Sequence, residues 1–220
     1  MKLDLYVDTS RKGISMALSA QAGSSGEVRY AETVNPDARG EILGATLDDL
    51  LDRMGATLDD VKRVMVTLGP GSFSGLRTGV AFCQGLSFSG KRELYGVTTL
   101  QALECFGLSG DPSQARQGTA VVIRARTGFW YTRLGGEEKF IETPEVVSLL
   151  EQAKVKTVVA DDAALADETI KATFDRLGAV TVRDTGLPLD RWAPLFDSVK
   201  PSLIQEANYI QPSYFEKLKT

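Results

Sequence analysis

Histidine is absent from all 220 residues. That absence excludes Ser–His and Cys–His nucleophile pairs and every histidine-containing zinc or iron site, but not carboxylate-bound magnesium, because hard cations take oxygen ligands. Cysteine is scarce. Cys83 and Cys105 form neither a metal-type nor a redox-type pair, and their apolar helical contexts read as buried thiols of a reducing compartment. No apolar run approaches the roughly 20 residues that span a bilayer. The opening MKLDLYVDTS places acids inside its apolar run, as a strand does and a secretory segment does not. The expected location is the cytoplasm, with no membrane partner. Excess positive charge is also missing: the net charge is −4 and the pI about 5.1. An autonomous nucleic-acid binder needs cations to neutralise phosphates, so only local basic patches remain open.

What is present is an ordinary globular composition, 43% apolar and 25% charged, sufficient for a real core. Leu3–Asp8, Gly13–Ala20 and Glu27–Val34 read as strands, the last two joined by a hairpin turn at Gly23-Ser24-Ser25-Gly26. From Gly40 to Met54 the period changes to that of an amphipathic helix, with Ile42, Leu43, Leu47, Leu50, Leu51 and Met54 on one face. A buried strand over Lys62–Leu68, a helix from about Leu76 to Phe88, a strand at Leu94–Val97 and a helix at Thr98–Phe106 follow. Residues 107–118 are polar and lack periodicity, which marks a lobe boundary. Beyond it the order repeats: strands at Thr119–Arg124 and Phe129–Leu134, a helix at Pro144–Gln152, a strand at Thr157–Ala160, a helix at Ala163–Leu177 and a strand at Val180–Val182. A helix from Trp192 and a tail with Pro201 and Pro212 close the chain.

Hairpin strands followed by alternating helices and strands predict mixed sheets flanked by helices. Two such units in tandem predict an α/β, two-lobed actin-like (ribonuclease-H-like duplicated) fold. The expected organisation is an N-terminal lobe at 1–106, a linker at 107–118, a smaller lobe at 119–200 and a tail at 201–220 that packs back on the first lobe.

The strongest local motif is Leu68-Gly69-Pro70-Gly71-Ser72-Phe73-Ser74-Gly75-Leu76-Arg77-Thr78-Gly79-Val80. Glycines between a strand and a helix expose backbone N–H groups, and Ser72 or Ser74 suits the helix N-cap. An anion or nucleotide site built from Gly69, Gly71, Ser72 and Arg77 is one reading, although no phosphate-loop signature stands in register. Helix packing is the other, because Gly75 and Gly79 lie four apart with Cys83 one turn on, a smooth row for a neighbouring helix. Asp8-Thr9-Ser10 at the end of the first strand is either a turn or a magnesium and nucleotide site. Arg124 and Arg126 share a hairpin with Phe129, Trp130 and Tyr131, a mixture that stacks on a base or grips a phosphate, or is simply a hairpin with solvated arginines. The acidic doublets at 48–49, 59–60 and 161–162 read as solvated faces or caps.

The chain resembles the TsaB (YeaZ) family. The resemblance is carried by Asp8-Thr9-Ser10, the run at 68–80, Ala125-Arg126-x-Gly128-x-x-Tyr131, and more weakly by Pro212-Ser213-Tyr214. It implies a non-catalytic partner subunit of a TsaD-like transferase. With a TsaE-like ATPase, that transferase puts threonylcarbamoyl on the adenosine beside the tRNA anticodon; tRNA is an indirect partner through the complex, and direct contact is left open. It further implies no intrinsic cofactor, and leaves open both ATP or ADP with magnesium at the subunit interface of the complex and a homodimer in isolation. The family's interface uses the first two helices, here about 40–54 and 74–88, which assigns Ile42, Leu43, Leu47, Gly75, Gly79, Phe82, Cys83 and Leu86 to it. The chain departs from the family pattern at Arg39-Gly40, where a histidine is usual, and at Arg124, where an aspartate is usual. The competing readings are an independent actin-like kinase or ATPase, with magnesium at Asp8, and a peptidase, which lacks a nucleophile–base pair.

Overall fold

The computed structural model describes residues 2–20, 30–37, 40–107, 118–184 and 189–210. The expected turn at 23–26, Arg39, most of the 107–118 linker and Pro212-Ser213-Tyr214 lie outside the described residues. The chain divides into two compact units, Met1–Thr99 with Pro188–Asn208, and Leu100–Leu187 with Tyr209–Thr220.

In the first unit, strands β1 (Leu3–Asp8), β2 (Ile14–Ala20), β3 (Tyr30–Asn35), β4 (Val61–Thr67) and β5 (Glu93–Val97) form a sheet in the order β3-β2-β1-β4-β5. β1 is antiparallel to β2 and parallel to β4, and β4 is parallel to β5. Strand periodicity sends Leu3, Leu5 and Val7 to one face, where they pack with Leu43, Leu47 and Leu50 of helix α1 (Leu43–Met54) and Val80 and Cys83 of helix α2 (Phe73–Ser87). The alternate residues face the other way, onto a short helical stretch at residues 189–198 that ends in helix α7 (Leu195–Ser198). Tyr6 meets the Trp192 ring edge-on at 6.5 Å, and Tyr95 meets Phe196 at 4.9 Å. Arg63 donates twice to the buried Asp4 carboxylate, at 2.8 and 2.6 Å, while its guanidinium lies 4.1 Å from the Phe196 ring centre. Both faces of β1 are therefore covered, and all six of its residues are buried.

The second unit repeats the plan. Strands β6 (Thr119–Arg126), β7 (Phe129–Leu134), β8 (Glu137–Glu142), β9 (Thr157–Ala160) and β10 (Val180–Arg183) run in the order β10-β9-β6-β7-β8, which is the first sheet's order with equivalent strands substituted. Helices α4 (Thr143–Ala153), α5 (Asp162–Ala166) and α6 (Glu168–Leu177) cover the face bearing Ala120, Val122 and the buried Trp130. Leu100, Leu103 and Phe106 of α3 (Thr99–Gly107) pack on Val121 and Val159 from the other side. The two mixed sheets, each flanked by helices, make this a two-lobed actin-like α/β fold.

Three elements depart from the sequence reading. β8 was not expected, since Glu-Glu-Lys-Phe-Ile-Glu puts its two apolar residues side by side without alternation; the strand is held at the sheet edge by its ladder to β7. The single helix expected at 163–177 is split at Asp167, whose carboxylate caps α6 by accepting from the N–H groups of Thr169 and Ile170, both at 3.1 Å. The helix expected from Trp192 is reduced to a short turn and α7.

Candidate partner-docking face

The loop between β4 and α2 packs against the turn that follows β1. The Ser72 N–H donates to the Ser10 carbonyl at 2.7 Å, and the Ser72 hydroxyl accepts from the Gly75 N–H at 3.3 Å, which makes Ser72 the N-cap of α2. A Cβ at Gly71 would stand 2.1 Å from the Ser10 carbonyl oxygen. One at Gly75 would stand 2.2 Å from the Thr9 carbonyl oxygen, and one at Gly79 2.1 Å from the Thr9 hydroxyl. The glycines are a trough for Thr9 and Ser10. Gly69 has a separate reason to be glycine, a φ of +107° and close approach to the Asn208 carbonyl. The two motifs read separately in the sequence are thus one packing unit.

Asp8 anchors that unit. Its Oδ1 accepts from the Ser10 N–H at 2.9 Å, the Ser10 hydroxyl at 2.6 Å and the Thr67 hydroxyl at 2.8 Å, and its Oδ2 accepts from Arg11 Nε at 3.0 Å. Burial alone would raise its pKa, but the Arg11 charge and these hydrogen bonds outweigh burial and hold the carboxyl below the ordinary value. A magnesium ion here would have to displace Arg11 and share an oxygen that already takes three donors. The residues present do not fit a metal at Asp8, and an anion at the N-terminus of α2 would compete with the Ser10 carbonyl for the Ser72 N–H. Arg77, the expected anion-binding cation, is exposed and lies 5.4 Å from the Phe73 ring centre.

Several of the interface residues expected from the sequence are buried within the first unit. Gly79 and Cys83 are buried within the unit, and Leu43 and Leu47 are core residues only 1% and 3% exposed. Gly75 faces Thr9, while Ile42, Phe82 and Leu86 are half-buried against the core. The smooth row of α2 points inward, because the turn after β1 needs that space. The same helix carries a second row of small residues on its outer side, Ser74, Thr78, Ala81 and Gly85, all exposed. A shallow groove runs along it, lined by Arg77, Thr78, Ala81 and Phe82 of α2, by Leu43 and Gly44 at the start of α1, and by Gly40 just before it. A Cβ at Gly44 or Gly85 would meet nothing within 4 Å. Two large apolar side chains mark the ends of the row, Phe73 at 58% and Phe88 at 80% exposure. Spacing did not distinguish the rows, since small residues three or four apart occur on both; exposed Phe73 and Phe88 at the helix ends were the available signal.

The acidic doublets behave as caps where they are ordered by backbone. Asp60 accepts from the Thr57 N–H at 2.9 Å, and Asp161 caps α5 by accepting from the Ala164 N–H at 2.8 Å.

Comparison with known proteins bears on this face. The family model for TsaD, tRNA N6-adenosine threonylcarbamoyltransferase, matches residues 37–166, more than half of the chain and including both α1 and α2. The chain belongs to the TsaD family, on its TsaB (YeaZ) side. It is 28% identical over 153 residues to the tRNA threonylcarbamoyladenosine biosynthesis protein TsaB of Escherichia coli, covering 65% of this chain and 63% of that protein. It is 34% identical over 61 residues to a tRNA N6-adenosine threonylcarbamoyltransferase of Clostridium botulinum, covering 28% of this chain and 18% of the transferase. The matches therefore span less than two thirds of these relatives. Among solved structures, YeaZ from Pseudomonas aeruginosa superposes with a TM-score of 0.60 at 22% identity, covering 97% of this chain and 100% of that one. A P. aeruginosa protein described as similar to peptidase YeaZ superposes at 0.66 and 21% identity, covering 96% and 100%. These two show the shared fold.

Proposed function

We propose that this chain is a partner subunit in the threonylcarbamoyl modification of tRNA adenosine, docking a TsaD-like transferase through the outer face of α2 and the start of α1. The family match across both helices carries the reading. It is supported by the exposed small-residue row, where another helix can approach closely, and by the apolar ends at Phe73 and Phe88. Such a pairing buries more than about 1,000 Å² when stable. The subunit is non-catalytic in this reading, because Asp8, the acid best placed for metal chemistry, is occupied by Arg11, Ser10 and Thr67. Catalysis then belongs to the transferase, and a TsaE-like ATPase, nucleotide and tRNA are met in the assembled cytoplasmic complex. Reconstitution tests this: the transferase with its ATPase should form threonylcarbamoyladenosine on tRNA only when this chain is added, and the chain alone should form none. Full activity without the chain contradicts the proposal.

A further inference from the structure

The β6–β7 hairpin of the second unit carries an aromatic and arginine cluster that the docking reading does not use. The strand register slips between Arg124 and Arg126, so that Arg124 pairs with Trp130 and Arg126 with Phe129. A bulge of this kind re-aims a side chain. Without it, Arg126 would follow Arg124 onto the face of the buried Trp130. With it, Arg126 joins Phe129 and Tyr131 on the opposite face. There its guanidinium lies 3.9 Å from the Phe129 ring centre and 5.8 Å from that of Phe140. Phe129 and Phe140 are stacked at 5.1 Å with ring planes 8° apart, and Tyr131 tilts against Phe140 at 5.6 Å. The rings are half-buried and Arg126 is exposed.

The charges identify what such a column receives. Among the described residues no carboxylate forms an ion pair with Arg126; Arg124 lies on the other face, 5.3 Å from the Trp130 ring centre, with its backbone N–H donating to Asp161. Glu142, which faces Phe129 across the ladder, is the N-cap residue of α4, where its N–H donates to the Glu145 carboxylate. An unneutralised guanidinium over aromatic rings meets both halves of a nucleotide: the base by stacking and the phosphate by charge. We propose that Arg126, Phe129 and Phe140 form a stacking site for an unpaired base of single-stranded RNA, with the Arg126 charge facing the adjoining phosphate. The site goes beyond the docking reading, since it lies in the second unit and acts without the transferase. It is a stacking platform rather than an electrostatic groove, in keeping with the chain's net negative charge.

Fluorescence anisotropy of the full chain with a labelled 12-nucleotide oligoadenylate at low salt tests the site. Saturable binding is expected, with a salt slope of about −0.7 for each phosphate neutralised. Arg126→Ala and Phe140→Ala should each weaken it about five-fold or more, with melting of the Arg126 variant unchanged. A duplex of the same length should compete poorly. Absence of saturable binding, or Arg126→Ala binding as tightly as the parent chain, overturns the proposal. So does an acidic peptide that displaces the oligonucleotide at equal concentration, which would mark a protein partner instead. Any of these results leaves the docking reading standing if the chain still co-purifies with the transferase.

Discussion

Thr9 and Gly79 are built around each other: the Thr9 side chain fills the space a Cβ at position 79 would take, its hydroxyl 2.1 Å from that point. The Thr9 hydroxyl is buried with no hydrogen-bond partner among the described residues, so shape, not polarity, holds it there. Gly79→Ala should therefore destabilise the isolated chain by about 1–3 kcal/mol, the usual range for overpacking. Thr9→Ala in the same chain should recover most of the loss, and urea unfolding of the two single variants and the double variant measures the coupling. Additive losses would show that the two side chains do not compete for one space. Gly79→Arg, which an interface at this position would tolerate in the isolated chain, is expected to prevent folding.

Asp8 gives the unit a pH dependence. Its folded carboxyl is held below the ordinary aspartate value of 3.8 by Arg11, Ser10 and Thr67, against the opposing effect of burial. A depressed acid contributes stability that is fully present above 3.8 and is lost as pH falls through the lower folded value. Asp8→Asn should lower stability at neutral pH and flatten this acid limb, as read from urea midpoints between pH 7 and the acid range. An unchanged acid limb in the variant would assign it to other carboxyls.

Arg63 ties the returning stretch at 189–198 to the first sheet through Asp4 and the Phe196 ring. Arg63→Ala leaves a carboxylate that is only 5% exposed without its main partner. The expected cost is about 2–4 kcal/mol, below the full range for a buried pair because the arginine is partly solvated. A midpoint shift in chemical denaturation checks it, and no shift would mean that solvent replaces the pair without penalty.

Both thiols should be unreactive in the native chain. Burial pushes the Cys83 thiol far above its ordinary value, and burial with the nearby Glu104 charge raises Cys105 to about 11. Ellman's reagent should label neither at neutral pH until denaturant is added. Rapid labelling under native conditions would contradict their burial.

Much of the architecture was legible because it rests on period. The buried strand at Lys62–Leu68, the amphipathic α1 and the Ser72 cap follow from spacing and local hydrogen bonding, and the structure places them within a few residues. β8 was not legible, because an edge strand takes its conformation from the neighbouring ladder and not from its own alternation. The direction of the Gly75–Gly79 row was also hidden. A helix with small residues on two sides does not announce which side is inward, and here the distant Thr9 decides it. The Arg126 platform depends on a one-residue register slip at Ala125, which composition cannot show.

The central claim is that the outer side of α2 receives the transferase, and Ala81→Arg tests it most directly. Ala81 is exposed in the groove beside Thr78 and Phe82, so the isolated variant should melt as the parent chain does. Affinity-tagged transferase should capture the parent chain and fail to capture the variant. Capture of Ala81→Arg in equal amount would contradict the account.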